Sequence, residues 1–308
     1  MQSSKVQQRL MGSDFELIAV EQDAAASQQR LHEGVAEIRR IEYLLTAFND
    51  TSQTALLNRY AGIQPVQVAE EVYALIGRCI RLSSLTQGAF DITAGALKQL
   101  YNFKGSAFQL PDAAMLAATL QAVGYRHIQL LPECRVYLSR KGMRIGFGAV
   151  GKGYAADRVK ALWLARGVKG GVINASGDLT AWGRQPDGSP WKIGIADPDN
   201  TSRILLWLPV ENAAVATSGN YEQYFEHNGI RYSHNIDPVS GKPVPFIKSV
   251  TVVSPSAELS DALATAVTVM GREAGMHLVD QLPNVHCLLI DAQNQVFQSR
   301  HINIHATA

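Results

Sequence analysis

The chain has 308 residues, of which 46% are hydrophobic, and its 28 basic and 27 acidic residues nearly cancel. A chain of this length and composition buries a full core without disulfides, and its balanced charge excludes the basic surface that a nucleic-acid partner requires. The three cysteines are spaced too widely for a zinc motif or a disulfide framework. No apolar stretch reaches the roughly 20 residues that span a bilayer, which argues against a transmembrane segment.

The first ten residues are polar and charged, without the apolar run of a secretory signal or a cysteine for a lipid anchor. We therefore expect a cytoplasmic protein, or a periplasmic one if a leader has been removed.

The residue patterns predict mainly helices in the first half of the chain. A short strand over residues 15–21 precedes an amphipathic helix over 24–47, a short helical piece over 55–59 and a second helix over 66–86. A third helix over 111–124 begins at a proline, and short strands follow over 127–131 and 135–139. Residues 143–147 are predicted to form a strand that enters a glycine-rich loop, and residues 154–165 form a helix.

The second half is predicted to be mostly β-structure. Strands are expected over 171–174, 179–182, 191–195, 204–208 and 249–253, with hairpins over 224–234 and 285–298. A helix over 260–270 is introduced by Ser256. Helices and strands are interleaved without a strict βαβ rhythm, and no linker interrupts the chain. We predict one α+β domain over residues 1–308.

The glycine-rich loop over residues 146–153 reads Gly-Phe-Gly-Ala-Val-Gly-Lys-Gly. Unpaired amides at the start of the following helix would suit a phosphate group. As G-x-G-x-x-G the loop lacks the acidic residue that ribose recognition needs, and as a P-loop it carries Gly153 where a Ser or Thr would bind magnesium. Lys152 favours a phosphate ligand, although a purely structural turn stays open.

Asp261 and Thr265 are four residues apart on a predicted helix and so lie on the same face. A carboxylate and a hydroxyl offer two hard oxygens to Mg²⁺. The alternative is a helix-capping aspartate and a threonine that faces the core.

Three further polar segments admit two interpretations. His234, in the segment Tyr-Ser-His-Asn-Ile-Asp-Pro over 232–238, has the chemistry of a general base but also of a structural histidine. The segments 90–93 and 174–178 end predicted strands with polar residues that serve as caps or as ligand contacts.

Taken in order, these segments resemble the ApbE-type flavin transferases, the FAD:protein FMN transferase family. The resemblance rests on Met11-Gly12, residues 52–58 (SQTALLN), 90–97 (FDITAGAL), 148–157 (GAVGKGYAAD), 176–178 (SGD), 217–219 (TSG), 232–238 (YSHNIDP) and 261–271 (DALATAVTVMG). Their common order along nearly the whole chain is more specific than any one of them.

The resemblance implies an ApbE-like fold, with similarity to the T-fold, and Mg²⁺-dependent transfer of FMN from FAD to a Thr or Ser hydroxyl of an acceptor flavoprotein, with AMP released. It places the metal on Asp261, Thr265 and the carbonyl of Ala149, and names His234 as the base. FAD would be contacted by Met11, Phe48, Asn58, Ala89, Phe90, Asp91, Lys152 and Asn235.

One departure from the family pattern is Gly146, which stands where the family usually has an aspartate that contacts FAD. Three alternative functions stay open: hydrolysis of FAD to FMN and AMP at the same metal, flavin binding without chemistry, and a P-loop phosphotransferase, against which Gly153 argues.

Overall fold

The computed structural model describes residues 1–101, 111–219, 224–227, 230–245 and 247–300, and in these the side chains of 201, 202, 224–227, 230–232 and 234 are outside the description. The strands are β1 Gln2–Leu10, β2 Ser13–Glu21, β3 Val66–Gln67, β4 Ile128–Leu131, β5 Arg135–Leu138, β6 Gly170–Ala175, β7 Asp178–Trp182, β8 Trp191–Asp197, β9 Asn200–Val210, β10 Asn212–Gly219, β11 Tyr224–His227, β12 Ile230–Ile236, β13 Pro243–Pro245, β14 Ile247–Ser254, β15 His286–Asp291 and β16 Val296–Gln298. The helices are α1 Ala24–Leu45, α2 Gln53–Arg59, α3 Glu70–Leu85, α4 Gly95–Lys98, α5 Ala113–Leu120, α6 Gly151–Ala165 and α7 Ala257–Val279, with 3₁₀ turns at Ile92–Ala94 and Tyr125–His127.

An antiparallel sheet of eight strands, in the order β1-β2-β6-β7-β10-β14-β15-β16, organises the molecule. Its two faces are covered by different elements. On one face Leu17 and Ile173 pack against α1 and α6 in the main core. On the other face Val172 and Val215 pack against the hairpin β8–β9. Successive residues of a strand point to opposite faces, which is how neighbouring positions serve two cores.

Local sequence signals explain the helices that were predicted. Asp23 caps α1 by accepting a hydrogen bond from the amide of Ala26 at 2.8 Å, and the apolar residues Leu31, Ile38 and Leu45 lie on its buried face. Ser256 caps α7 as predicted. This helix extends beyond residue 270 across a kink at Gly271, whose φ of 79° lies outside the helical region.

The predicted strand over residues 143–147 is wrong. The segment forms no strand, and the Asn58 side chain pairs with its backbone instead: the Asn58 amide nitrogen donates to the carbonyl of Ile145 at 3.0 Å, and its oxygen accepts from the Ile145 amide at 2.7 Å. The backbone polar groups of Ile145 are thus satisfied by a side chain rather than by a sheet ladder.

Two strands of the large sheet are absent from the prediction. β1 carries mostly polar residues, and β10 mostly small ones, so neither has strong apolar alternation. β1 pairs with β2 over its whole length, and β10 lies between β7 and β14. β1 and β10 are therefore strands because they pair with neighbouring strands, and their own residue patterns do not show it. The start of the predicted second helix is also wrong, since residues 66–67 form β3 and α3 begins only at Glu70.

The α+β class with mostly antiparallel sheets is confirmed. The single domain over residues 1–308 stays a prediction. Among the described helices, none has both the length and the apolar character needed to cross a bilayer.

Candidate functional site

A cleft of about 1390 Å³ opens between the helical layer, the large sheet and the hairpin β8–β9. Nearly all the residues predicted to bind FAD or a metal line it, although they come from distant parts of the chain. These residues are Met11, Phe48, Ala89, Phe90, Asp91, Ala149, Lys152, Asn235, Asp261 and Thr265.

The glycine-rich loop enters α6 at the inner end of the cleft, where α6 meets α7. Gly153 allows this approach, because a Cβ on Gly153 would overlap the carbonyl of Ala257 and crowd the amide of Glu258. The Gly153 amide donates to the Asp261 carboxylate at 3.3 Å. The glycine at the Ser/Thr position of the P-loop pattern is therefore required by helix packing, which removes the basis for a P-loop.

Asp157 fixes the start of α7 against α6. One of its carboxylate oxygens accepts from the Ser256 hydroxyl at 2.7 Å and from the Glu258 amide at 2.9 Å, and the other accepts from the Ala257 amide at 3.0 Å. The amides of Ala257 and Glu258 are among those that a helix leaves without a partner inside the helix at its N-terminus. Asp157 thereby positions Asp261, one turn further along α7.

Lys152, Asp178 and Asp261 form a charged cluster at this junction. The Lys152 ammonium contacts the Asp178 carboxylate, whose side chain is 6% exposed. Burial raises the pKa of Asp178, against the opposing effect of Lys152. Burial also raises the pKa of Asp261 well above its ordinary value, with repulsion from Asp178 as the second cause. Two buried carboxylates therefore share one nearby cation, an arrangement that favours a further positive charge.

The predicted metal ligands line the same cleft. Asp261 and Thr265 both line it from α7, and Ala149 lines it from the loop before α6. In the part of the chain that the structure describes, no three His, Cys, Asp or Glu side chains cluster as metal ligands. The predicted set has a single carboxylate beside a hydroxyl and a backbone carbonyl, and these donor types fit Mg²⁺ rather than a thiolate- or imidazole-bound metal.

Met11 and Phe48 form the outer part of the cleft. Met11 and Gly12 make the two-residue turn between β1 and β2 with φ values of 50° and 74°, which is the geometry of a tight hairpin. Phe48 follows α1 and is 100% exposed, so its whole ring is available to a ligand.

Ala89, Phe90 and Asp91 line the cleft but are largely buried. Asp91 caps the 3₁₀ turn that follows: one oxygen accepts from the amide and hydroxyl of Thr93 at 2.8 and 2.7 Å, and the other accepts from the Tyr125 amide at 2.8 Å. Burial raises the pKa of Asp91. Both oxygens of the Asp91 carboxylate thus accept hydrogen bonds from within the protein. Asp91 caps the 3₁₀ turn and also lines the cleft, so it combines the features of the two interpretations, cap and ligand contact, given for residues 90–93.

The remaining predicted residues are placed differently. Asn58 is bonded to the backbone of Ile145 and is not among the cleft-lining residues, so its observed role is to hold the segment before the glycine-rich loop. Asn235 lines the cleft and its side chain donates to the Ser218 hydroxyl at 3.4 Å. His234 lies in β12, but its side chain falls outside the described part of the structure.

Asp178 is the site residue that the sequence prediction omitted. The segment over 174–178 was read as caps or ligand contacts without assigning Asp178 a partner. Its membership of the motif at 176–178 was the available signal, whereas its contact with Lys152 depends on β7 lying beside α6.

Comparison with known proteins supplies the family of this chain. The model of the ApbE family matches residues 11–289. The chain belongs to the ApbE family. A Treponema pallidum (strain Nichols) protein named FAD:protein FMN transferase is 32% identical over 295 residues, covering 91% of this chain and 82% of that protein. A Klebsiella pneumoniae (strain 342) protein of the same name is also 32% identical over 295 residues, covering 94% and 90%.

Solved ApbE structures have the same fold. The ApbE protein of Thermotoga maritima MSB8 superimposes with a TM-score of 0.88 at 29% identity, with 97% of each chain covered. The apo form of the Pseudomonas stutzeri flavinyl transferase ApbE gives 0.87 at 28% identity, covering 97% of this chain and 95% of that one. The resemblance and the assignment as a transferase are therefore confirmed.

Proposed function

We propose that this ApbE protein transfers FMN from FAD to a Thr or Ser hydroxyl of an acceptor protein, with Mg²⁺ as cofactor and AMP as the leaving product. The name shared by its relatives supports the substrate and the transfer. The observation that carries the proposal is the convergence of Lys152, Asp178 and Asp261 at the start of α6, inside a cleft large enough for FAD.

The start of α6 supplies the pyrophosphate site. This helix has 15 residues and its N-terminus faces the cleft through Ala149 and Lys152. The positive end of the helix dipole favours an anion there. Lys152 adds a full positive charge beside it. The pyrophosphate of FAD is the part of the substrate that this arrangement fits.

Asp261, Thr265 and the carbonyl of Ala149 are the residues proposed to hold Mg²⁺. When bound, the ion would neutralise charge on the pyrophosphate and on the developing transition state. Asp178 keeps the Lys152 ammonium close to the same position, and Asp157 keeps α7 at the distance from α6 that the ligand set needs.

Phe48 and Met11 provide the apolar contacts for a ring system at the outer end of the cleft. Phe48 is fully exposed, and an aromatic ligand ring stacked on it would remove one face of its ring from water. Asn235 and the backbone of residues 89–90 would complete the FAD contacts.

The reaction exchanges the phosphoanhydride bond of FAD for a phosphoester bond to the acceptor. The acceptor hydroxyl oxygen bonds to the FMN phosphorus, the bond from that phosphorus to the bridging oxygen breaks, and AMP leaves with the bonding electrons. The hydroxyl proton passes to a base, for which we propose His234, since neutral imidazole accepts protons near pH 7. Water in place of the hydroxyl would give FMN and AMP, which is the competing hydrolase.

The test is an assay with FAD, MgCl₂ and an acceptor protein, in which AMP release and the FMN mass on the acceptor are followed together. The wild-type chain is expected to give both in equal amounts. Asp261→Asn, which keeps an oxygen acceptor for the Gly153 amide, is expected to lower transfer at least about 100-fold by weakening metal binding. Its thermal unfolding, compared with the wild type, controls for misfolding. AMP release without any adduct would replace the transferase by the hydrolase.

A further inference from the structure

Strand β8 lines the cleft in an unusual way. Six consecutive residues, Trp191 to Ala196, all border the cavity. Side chains of a strand alternate between its faces, so a cavity on one face would meet only every second residue. Trp191 and Ile195 indeed point into the core beneath the hairpin, and Lys192 is exposed. The cavity therefore borders the edge of β8, where the backbone is reached from both faces.

This edge is open within the part of the chain that the structure describes. There β8 pairs only with β9, in a two-stranded sheet. In an antiparallel pair, alternate residues direct their N–H and C=O groups away from the partner strand. An uncovered edge of this kind is a template for another strand, and proteins commonly block it unless it has a use.

The groove beside β8 has an apolar floor that leads to the charged cluster. Ile18, Val172, Leu179 and Val215 of the large sheet line the cleft and also contact the hairpin core. Leu179 directly follows Asp178, whose carboxylate contacts Lys152. An extended chain lying on this floor would thus reach the reacting phosphate at one end.

The volume of the cleft leaves room for a second ligand. Pockets for one small molecule usually enclose about 300–1,000 Å³, and this cleft encloses about 1390 Å³. The residues proposed for FAD lie at the turn of β1–β2, after the end of α1, in residues 89–91, at Asn235 in β12 and at the α6–α7 junction. None of them belongs to β8.

We propose that the acceptor protein binds as an extended segment that adds a strand to the open edge of β8, with its hydroxyl residue directed towards Lys152. The proposal rests on the transfer function above. Transfer brings two substrates together inside a cleft, and a narrow extended segment reaches the phosphorus where a folded surface does not. Main-chain hydrogen bonds to β8 give affinity, and alternate side chains on the apolar floor give selectivity.

The first experiment uses a peptide library of ten-residue chains with one central Thr and random flanks, incubated with the enzyme, FAD and MgCl₂. Peptides that gain the mass of FMN are sequenced. We expect selectivity at every second position, with small or apolar residues favoured there. A selected peptide is then remade with a single N-methyl group at each position in turn. Methylation at alternate residues should lower transfer about tenfold, and methylation in between should have little effect.

The second experiment is hydrogen exchange of the whole enzyme with FAD alone and with FAD plus the selected peptide. The peptide should slow exchange in residues 191–196. Strand β16 is the matched control, since it is an edge of the large sheet that does not line the cleft. If FAD alone protects β8 and the peptide adds nothing, the groove belongs to FAD and the proposal is overturned.

A third arm separates this proposal from the transfer function. A lysate of the source cells is treated with enzyme and FAD, and flavin fluorescence is read on a denaturing gel. If lysate proteins are labelled but no peptide is modified, the transfer function is retained and extended-strand binding is overturned. An N-methyl scan without alternation would also overturn extended-strand binding. Absence of labelling in both arms, with AMP still released, would refute the transfer function and this inference with it.

Discussion

The two ends of the glycine-rich loop contain the same residue for opposite reasons. At Gly146 and Gly148 a Cβ would meet nothing within 4 Å, and both residues border the cleft. At Gly153 a Cβ would overlap the backbone of Ala257. The first end leaves space for a ligand, whereas the second leaves space for another helix.

The loop shares a glycine-rich sequence pattern with phosphate-binding P-loops, but the reason for the glycine after the lysine is different in this chain. In a P-loop the residue after the lysine contributes a hydroxyl to the metal. Here α7 occupies that space and brings Asp261 with it, so the side-chain oxygens proposed to hold Mg²⁺ come from a second helix. Gly153 is required for this arrangement, because a side chain at that position would keep α7 away.

The largest effect is expected for Gly153→Ala. The methyl group must push α6 away from α7, which costs about 3 kcal/mol of unfolding free energy and separates Lys152 from Asp261. Urea unfolding and the transfer rate should both report the change. Gly148→Ala is the matched control for stability and should stay within about 0.5 kcal/mol. Equal stability of the two variants would show that the helices do not depend on this contact.

A smaller loss of stability is expected for Lys152→Met. Without the ammonium, the buried Asp178 carboxylate has no compensating charge, at a cost of about 2 kcal/mol at pH 8. The cost should shrink as pH falls, because burial raises the pKa of Asp178 and a protonated carboxyl needs no compensating cation. Lys169→Met, at an exposed position, is the control. A pH-independent loss would mean that the methylene chain of Lys152, rather than its charge, stabilises the site.

The pH dependence of the unmodified protein should be gentler, on the order of 1 kcal/mol. Both Asp178 and Asp261 have a pKa above the ordinary value of 3.8. Such a group stabilises the fold below its unfolded pKa, and that contribution is lost as pH rises through its folded pKa. Without divalent cations the urea midpoint of the wild type, taken relative to that of Asp261→Asn, should therefore fall as pH rises from 4 towards neutrality. This difference cancels the opposite contributions of Glu37 and Glu71, whose pKa values are lowered by Arg40.

Magnesium chloride should oppose this fall if the cleft holds the ion, because a bound cation stabilises the folded state only. Asp261→Asn should flatten the pH profile and abolish the response to magnesium. Retention of the full magnesium response by this variant would move the metal away from α7.

The smallest effect on folding is expected for Gly146→Asp, which introduces the aspartate that the resemblance to the family leads us to expect at this position. Because the space around Gly146 is open, stability should change by less than about 0.5 kcal/mol. FAD should bind about fivefold more tightly through one added hydrogen bond, as measured by titration of flavin fluorescence. Gly146→Ala should leave the affinity unchanged. Weaker binding of FAD by the aspartate variant would mean that glycine is favoured here by this chain.

Much of the local structure followed from the sequence because the signals lie within a few residues of one another. The cap at Asp23 and the apolar spacing behind it defined α1, and Ser256 marked the start of α7. The spacing of Asp261 and Thr265 placed both on one helix face, and both line the cleft. Strands β1 and β10 escaped prediction because pairing with neighbours, rather than their own composition, holds them extended.

By itself, the sequence determined the α+β class, the family and a set of candidate site residues of which nearly all border the cleft, since each depends on ordered motifs or on spacing within one element. Only the tertiary structure decided that Gly153 is a contact between helices, that Asn58 replaces a strand partner for Ile145, and that Asp178 joins Lys152. Each of these relations pairs residues far apart in the chain. Their distance is set by how α6, α7 and the large sheet pack, which no local pattern encodes.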